Sequence, residues 1–354
     1  MDTNGDLNRY KYPVAKPDIG EHEQAYVSRA MEAGEISSKG SYVKRFEELF
    51  AEKHGMKYGV AVSSGTAALF LALKAFGIGE GDEVIVPDFT MIATAWAVTY
   101  TGAKPVFVDC DDDRNIDTHR LEEAITSKTK AIIPVHIYGR RCRMDVINEI
   151  AKQYNLKVIE DSCEAHGVKP ESTIACFSLF ANKIITAGEG GICLTNDENL
   201  AFQLEHLRSM AFDKEHTFFH PKIGYNFRMT NLQAGIALAQ TERLEEFLAK
   251  RSQIEDWYNK GLNLFTKRDV LWMYDIETQD REGLMKFLKE SGIETRRFFK
   301  PMTCQPMYRR SVSLDSKAMR MAKDGLYLPT YTQLTEEDVD FICNKIKEFY
   351  KKND

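Results

Sequence analysis

Apolar positions along this chain change rhythm, and the changes divide it. From Tyr58 to Glu160, short runs of continuous apolar residues alternate with longer stretches of helical period. Strands are predicted at 58–62 (YGVAV), 83–87 (EVIVP), 105–108 (PVFV), 131–136 (AIIPVH) and 157–160 (KVIE). Helices are predicted between them at 67–76, 93–101, 118–125 and 146–154. Short strands with no polar alternation are buried on both faces, so the pattern predicts a mainly parallel sheet covered on each side. Right-handed crossovers make such a sheet doubly wound. Further strands follow at 174–180 and behind the glycine-rich turn at Gly188, Gly190 and Gly191.

The flanks read differently. Residues up to about Pro17 form an arm outside the core. Helices 21–33 and 43–54 are separated by the polar turn ISSKGSY. After Thr195 come a helix at 198–210, an aromatic-rich loop at 211–226 and a long helix at 232–250. Beyond it a helix to 264, a strand at 270–276 and helices at 281–291 and 336–351 suggest an α+β unit. The expected organisation is a large α/β domain over 1–250, arm included, and a smaller α+β domain over 251–354.

Composition narrows the function. The chain has 354 residues and a net charge of −6, without a Lys/Arg block, which argues against a dedicated nucleic-acid binder. No apolar run approaches the ~20 residues that span a bilayer. The polar first residues lack the apolar core of a signal peptide, so a cytoplasmic location is expected. Seven scattered cysteines form no CxxC pair, so free thiols are expected, with neither a zinc site nor any other metal site.

The candidate chemistry lies between Val158 and Thr195. Asp161 ends a buried strand, where ligands of doubly wound sheets bind. Lys183 follows the apolar run 177–180 and precedes small residues, so it is expected to be partly desolvated rather than a solvated surface lysine. A lysine amine is the nucleophile that captures an aldehyde as a Schiff base, and a carboxylate keeps a pyridine nitrogen protonated. Together they suit pyridoxal phosphate. Ser63-Ser64-Gly65-Thr66 turns from strand into helix and bares N–H groups for a phosphate; an ordinary N-cap is the competing role. Ser178 is a further phosphate donor or a buried serine bonded to backbone. Glu164 can reach the same crevice. His136, at a predicted strand end, lines the substrate pocket or is a satisfied core histidine. His166 is read as structural. Asn226 and Arg228 follow the aromatic loop.

These motifs together resemble the sugar-nucleotide aminotransferases of the DegT/DnrJ/StrS type, which have the type I (aspartate aminotransferase) fold. The likeness runs from about Tyr12 to Tyr350 and is carried by SSGTAALFLAL, GDEVIVPDFT, AIIPVHIYG, VIEDSCEAHG, FSLFANKIITAGEGG and GYNFRMTNLQAGIALAQ. FANKIITAGEGG and GYNFRMTN look most like the perosamine-synthase branch, which aminates C4 of a nucleotide-linked 4-keto-6-deoxyhexose. The resemblance implies that Lys183 binds pyridoxal phosphate covalently, Asp161 pairs with its ring nitrogen and Glu164 sits by the ring oxygen. It gives Ser64, Gly65, Thr66 and Ser178 to the phosphate. Asn226 would reach the cofactor of a second subunit in a homodimer with shared sites. Ser37, Ser38 and His136 would face the sugar. Apart from the resemblance, the charge of the sugar diphosphate calls for Lys or Arg at the mouth, with Arg228, Lys222 and Arg297 as candidates. L-Glutamate would be the amino donor, released as 2-oxoglutarate. Three places depart from the pattern: Met91 stands where relatives carry an aromatic ring against the cofactor, Glu35 where they often carry tryptophan, and the segment 168–175 is short. A sugar dehydratase of the same fold is a second reading, opposed by a lysine at 183 where those enzymes have histidine. A regulator without catalysis is the third.

Overall fold

The computed structural model describes residues 10–213, 216, 218–309 and 316–353. Residues 1–9 of the expected arm, and 214, 215 and 217 of the aromatic loop, lie outside the described residues.

The large sheet has seven strands: β1 (Tyr58–Val62), β2 (Glu83–Pro87), β3 (Lys104–Val108), β4 (Thr129–Ile132), β5 (Lys157–Asp161), β6 (Ile174–Ser178) and β7 (Gly191–Thr195). Their order is β1-β7-β6-β5-β4-β2-β3. β7 runs antiparallel to both neighbours, and the other six share one direction. β2 and β7 are buried at every position, which is why they read as unbroken apolar runs. The helix Gly65–Ala75 lies against β1, β5, β6 and β7 with Leu69, Leu71 and Leu73 buried in one core cluster. Each such side chain contributes roughly 1.5–3 kcal/mol on burial.

A second sheet, of order β8-β10-β9, is antiparallel: β8 (Tyr274–Glu277), β9 (Arg296–Arg297) and β10 (Gly325–Leu328). β9 and β10 are too short to announce themselves by alternation, and both escaped the sequence reading.

Three expectations change. The strand expected to reach His136 stops at Ile132, because Pro134 cannot continue a ladder. The long helix predicted at 232–250 is two, Asn231–Glu242 and Leu244–Leu262, broken at Arg243. The chain therefore passes residue 250 inside a helix. Finally, the described part of the arm is not outside the core. Tyr12 and Val14 are buried, Tyr12 bridges to Ile293, and Thr330 N donates to Val14 O at 2.9 Å.

Acids hold the two sheets together. Asp88, just past β2, accepts from Thr303 N and Oγ1. Asp109, just past β3, accepts from Lys317 N and Ala318 N and caps the helix Lys317–Asp324. Asp275 on β8 is buried among Arg114, Arg140 and Arg268, at 2.9, 2.9 and 2.6 Å. Burial alone would raise its pKa, but the three guanidiniums hold it well below the usual carboxylate range. No helix among the described residues is long and apolar enough to cross a membrane.

Candidate active site

The carboxyl ends of β1, β5 and β6 open into one cavity of about 300 Å³. Ser64, Gly65, Thr66, Met91, Asp161, Glu164, Ser178 and Lys183 all line it. Eight sequence candidates, spread over 120 positions of the chain, thus meet at one place, as the strand-end rule requires.

Asp161 closes β5 and is 4 % exposed. Its Oδ2 accepts from Thr94 Oγ1 at 2.8 Å and its Oδ1 from Cys163 N at 3.1 Å. Unlike Asp88 and Asp109, it faces the cavity instead of capping a distant segment. Glu160, one residue earlier, points to the opposite face, as neighbours in a strand must. It accepts from Glu171 N and Ser172 N and meets His136 Nε2 at 3.0 Å. Glu160 thereby pins the short 168–175 segment.

Lys183 lies beyond β6, its side chain only 10 % exposed. Nζ sits 4.1 Å from the centroid of the Trp272 ring and 3.9 Å from Glu164 Oε1. Trp272 is itself fixed by its indole N–H donating to Asn182 O at 2.8 Å. Glu164 is buried and accepts from Tyr138 N at 2.9 Å through Oε2. Burial pushes its pKa up to about 7, against the pull of Lys183 and the Tyr138 N–H.

That shift has a sign. The folded chain binds the Glu164 proton more tightly than the unfolded chain, so its contribution to stability is present below about pH 4.3, the free-glutamate value, and is lost as pH rises through 7. Thermal midpoints of cofactor-free wild type and Glu164→Gln should therefore diverge in favour of the variant between pH 5 and about 7.5. Parallel curves over that range would show that the carboxyl is not destabilised there.

The Ser64-Gly65-Thr66 turn fills the N-cap role and leaves N–H groups open for the other. Ser64 caps the helix Gly65–Ala75, its Oγ accepting from Ala67 N at 3.1 Å. The first N–H groups of a helix have no acceptor within it, which leaves those of Gly65 and Thr66 at its positive end. A Cβ at Gly65 would lie 2.7 Å from Ser178 Cβ and 3.0 Å from Cys163 Sγ, so only glycine keeps this floor open. Amine, buried carboxylates and N–H turn form a donor set that fits pyridoxal phosphate.

Other candidates fall elsewhere. His136 is fully buried; its Nδ1 accepts from Cys142 N at 3.1 Å, and its Nε2 faces Glu160. Both ring nitrogens are satisfied within the core, which corrects the expectation that it faces a sugar. Ser37, Ser38 and Arg228 line a different cavity, of about 630 Å³, with Lys39 and Arg208. Arg228 reaches it because its backbone bridges Val62 at the end of β1. Asn226 is exposed on the segment that bridges Ser209. Arg297 pairs with Glu282 and Lys222 with Gln203, both at the surface. Glu35, at the other departure, accepts from Ser41 N at 3.1 Å and Oγ at 2.9 Å and closes the 36–40 turn.

Sequence reasoning missed Thr94, Cys163, Trp272, Arg296, Phe299 and Tyr327, all of which line the cofactor cavity. Thr94 stands one helical turn beyond Met91, a spacing that could have suggested it. The last four come from the small-sheet region, and no motif marks them.

Fold and site together define a pyridoxal-phosphate-dependent aminotransferase. The profile of the DegT/DnrJ/EryC1/StrS aminotransferase family matches residues 17–347, and the chain belongs to that family. It is similar to the GDP-perosamine synthase of Caulobacter vibrioides, with 45% identity over 92% of this chain and 95% of the relative. It is also similar to the GDP-perosamine synthase of Escherichia coli O157:H7, with 42% identity over 96% and 98%. Among solved structures, the PLP form of the putative sugar aminotransferase Spr1654 from Streptococcus pneumoniae superposes with a TM-score of 0.90 at 27% identity, covering 97% of this chain and 99% of that one.

Proposed function

We propose that this chain moves the amino group of L-glutamate to C4 of a nucleotide-linked 4-keto-6-deoxyhexose, with a GDP-linked sugar as the preferred acceptor. The observation that carries the reading is the Lys183 amine, enclosed between the Trp272 ring and Glu164 in the cavity that Asp161 and the Gly65 turn complete. Likeness to two GDP-perosamine synthases above 40% identity supports the acceptor.

When bound, pyridoxal phosphate supplies an electron-withdrawing ring that makes an amino group and an α-proton transferable. The chain supplies the rest. Lys183 Nζ would tether the cofactor and would also be the base that takes the donor's α-proton and returns one to the acceptor carbon. Asp161, immobilised by Thr94 and the Cys163 N–H, would keep the ring nitrogen protonated. Glu164 would face the ring oxygen, and Gly65, Thr66 and Ser178 would hold the phosphate. Met91, 43 % exposed at the cavity wall, would pack a thioether against the ring. Trp272 covers Nζ and keeps water from it.

The test is product analysis. Purified protein, cofactor and L-glutamate are given GDP-, dTDP- and UDP-linked 4-keto-6-deoxyhexoses, and products are read by mass spectrometry. Conversion of the GDP-linked ketone to the amine is expected. A deoxygenated product, or no amine from any acceptor, would sink the reading.

Ser37, Ser38, Asn226 and Arg228 would serve the site of a second copy, in a cytoplasmic homodimer with shared active sites. Mixing Lys183→Ala and Asn226→Ala subunits, each inactive alone, should then restore about a quarter of wild-type activity through one intact site per heterodimer. Activity that stays at the level of the separate variants would place Asn226 within its own subunit's site.

A further inference from the structure

We infer that Arg296 anchors a carboxylate of the amino donor. The inference rests on the donor proposed above, a dicarboxylic amino acid.

Two cations line the cofactor cavity, Lys183 and Arg296, against Asp161, Glu164 and Glu189. Lys183 is committed to the cofactor, so Arg296 is the cation left among the lining residues for an incoming anion. Its position follows from the small sheet. Arg296 stands opposite Tyr327 and Arg297 opposite Leu326 in the β9–β10 pair. Opposed residues share a face and neighbours alternate. Arg296 therefore joins Tyr327 at the cavity, while Arg297 turns away to Glu282. Tyr327 in turn packs 6.5 Å from Trp272, centroid to centroid, and Trp272 is the ring beneath Lys183 Nζ.

The Arg296 guanidinium hydrogen-bonds to the Tyr327 side chain, and its pairing with Glu294 is weak. Its Nε and one terminal nitrogen both reach Glu294 Oε1 at 3.3 Å. A charge-assisted hydrogen bond normally runs to about 2.7–2.9 Å. The other Glu294 oxygen already accepts from Val14 N at 2.8 Å. The side chain is about half exposed, and a planar carboxylate that displaces Glu294 would match its two parallel N–H groups. A sugar diphosphate is the other anion in the reaction. The larger basic cavity, with Lys39, Arg208 and Arg228, suits it better than a cavity of about 300 Å³ that would also hold the cofactor.

The two half-reactions separate the roles. Bleaching of the lysine-bound cofactor's absorbance by L-glutamate reports the donor half; amination of the 4-keto sugar by the pyridoxamine form reports the other. Arg296→Gln should raise the glutamate concentration for half-maximal bleaching on the order of 10–100-fold, with the maximal rate and the sugar half changed less than about threefold. Arg296→Lys should fall between, because it keeps charge but loses the fork. Calorimetric binding of succinate to the cofactor-free protein should weaken in the same order. Equal loss in both half-reactions, loss confined to the sugar half, or unchanged response to glutamate and succinate would each overturn the assignment. If wild type itself fails to bleach with L-glutamate, the proposed donor is wrong, and succinate binding still decides about Arg296.

Discussion

Replacing Lys183 with alanine should lower amino transfer by on the order of 10³–10⁴-fold or more while leaving the fold intact. Two losses combine. On the proposed roles, the amine that would tether the cofactor disappears, and so does the base that would move the donor's α-proton. The side chain is replaceable structurally because its contacts are few: the Trp272 face and a 3.9 Å approach to Glu164. Trp272 keeps its bond to Asn182 O without it. Glu164 then loses its cationic neighbour and should hold its proton even more tightly than in the wild type. The measurements are the absorbance of the lysine-bound cofactor and single-turnover rates with L-glutamate. The band should vanish and the rate collapse, with far-ultraviolet dichroism unchanged. A variant that keeps the band would move the attachment point to another amine.

The second large effect concerns stability. Asp275→Ala should cost about 3–5 kcal/mol at pH 7. It would leave Arg114, Arg140 and Arg268 facing one another in the interior, with Glu255 and Glu277 as their remaining partners. Arg114 and Arg140 belong to the large sheet's loops and Arg268 to the segment that leads into β8, so the loss falls where the two sheets meet. Because the folded pKa of Asp275 is depressed, its contribution is complete above the free-aspartate value of about 3.9 and disappears only as pH falls through the folded value. Denaturant midpoints of wild type and variant should stay well separated from pH 5 to 8. They should converge only in strong acid. Asp275→Asn, which keeps the shape without the charge, should behave nearly as badly. A difference below about 1 kcal/mol would mean that the arginines find other partners.

What could be read in advance followed from periodicity. The apolar runs of β1, β2 and β5 announced themselves because a strand buried on both faces needs no polar positions. Asp161 and Lys183 were legible because a charge set among buried or small residues needs a reason. Yet Glu160 and Asp161 look alike as adjacent letters, and only pleating sends one to the core and the other to the cofactor cavity. His136 misled for a related reason. The strand read as reaching it ends four residues earlier, and Cys142 N and Glu160, which absorb its ring nitrogens, are six and 24 residues away. Arg296 and Tyr327 were invisible because β9 has two residues and β10 four, below the length at which alternation can be recognised. Their part in the cavity depends on how the second sheet leans over the first, and no local pattern encodes that.

Tyr12 and Val14 have their partners at Ile293, Glu294 and Thr330, so residues 12–14 close against segments 280 or more positions later in the chain. A ribosome adds about 5–20 residues per second, which leaves this segment waiting some tens of seconds for those partners to emerge. During that interval two apolar side chains that end up buried have nothing to bury against. The packing around Val14 is therefore completed only after residue 330 has left the ribosome.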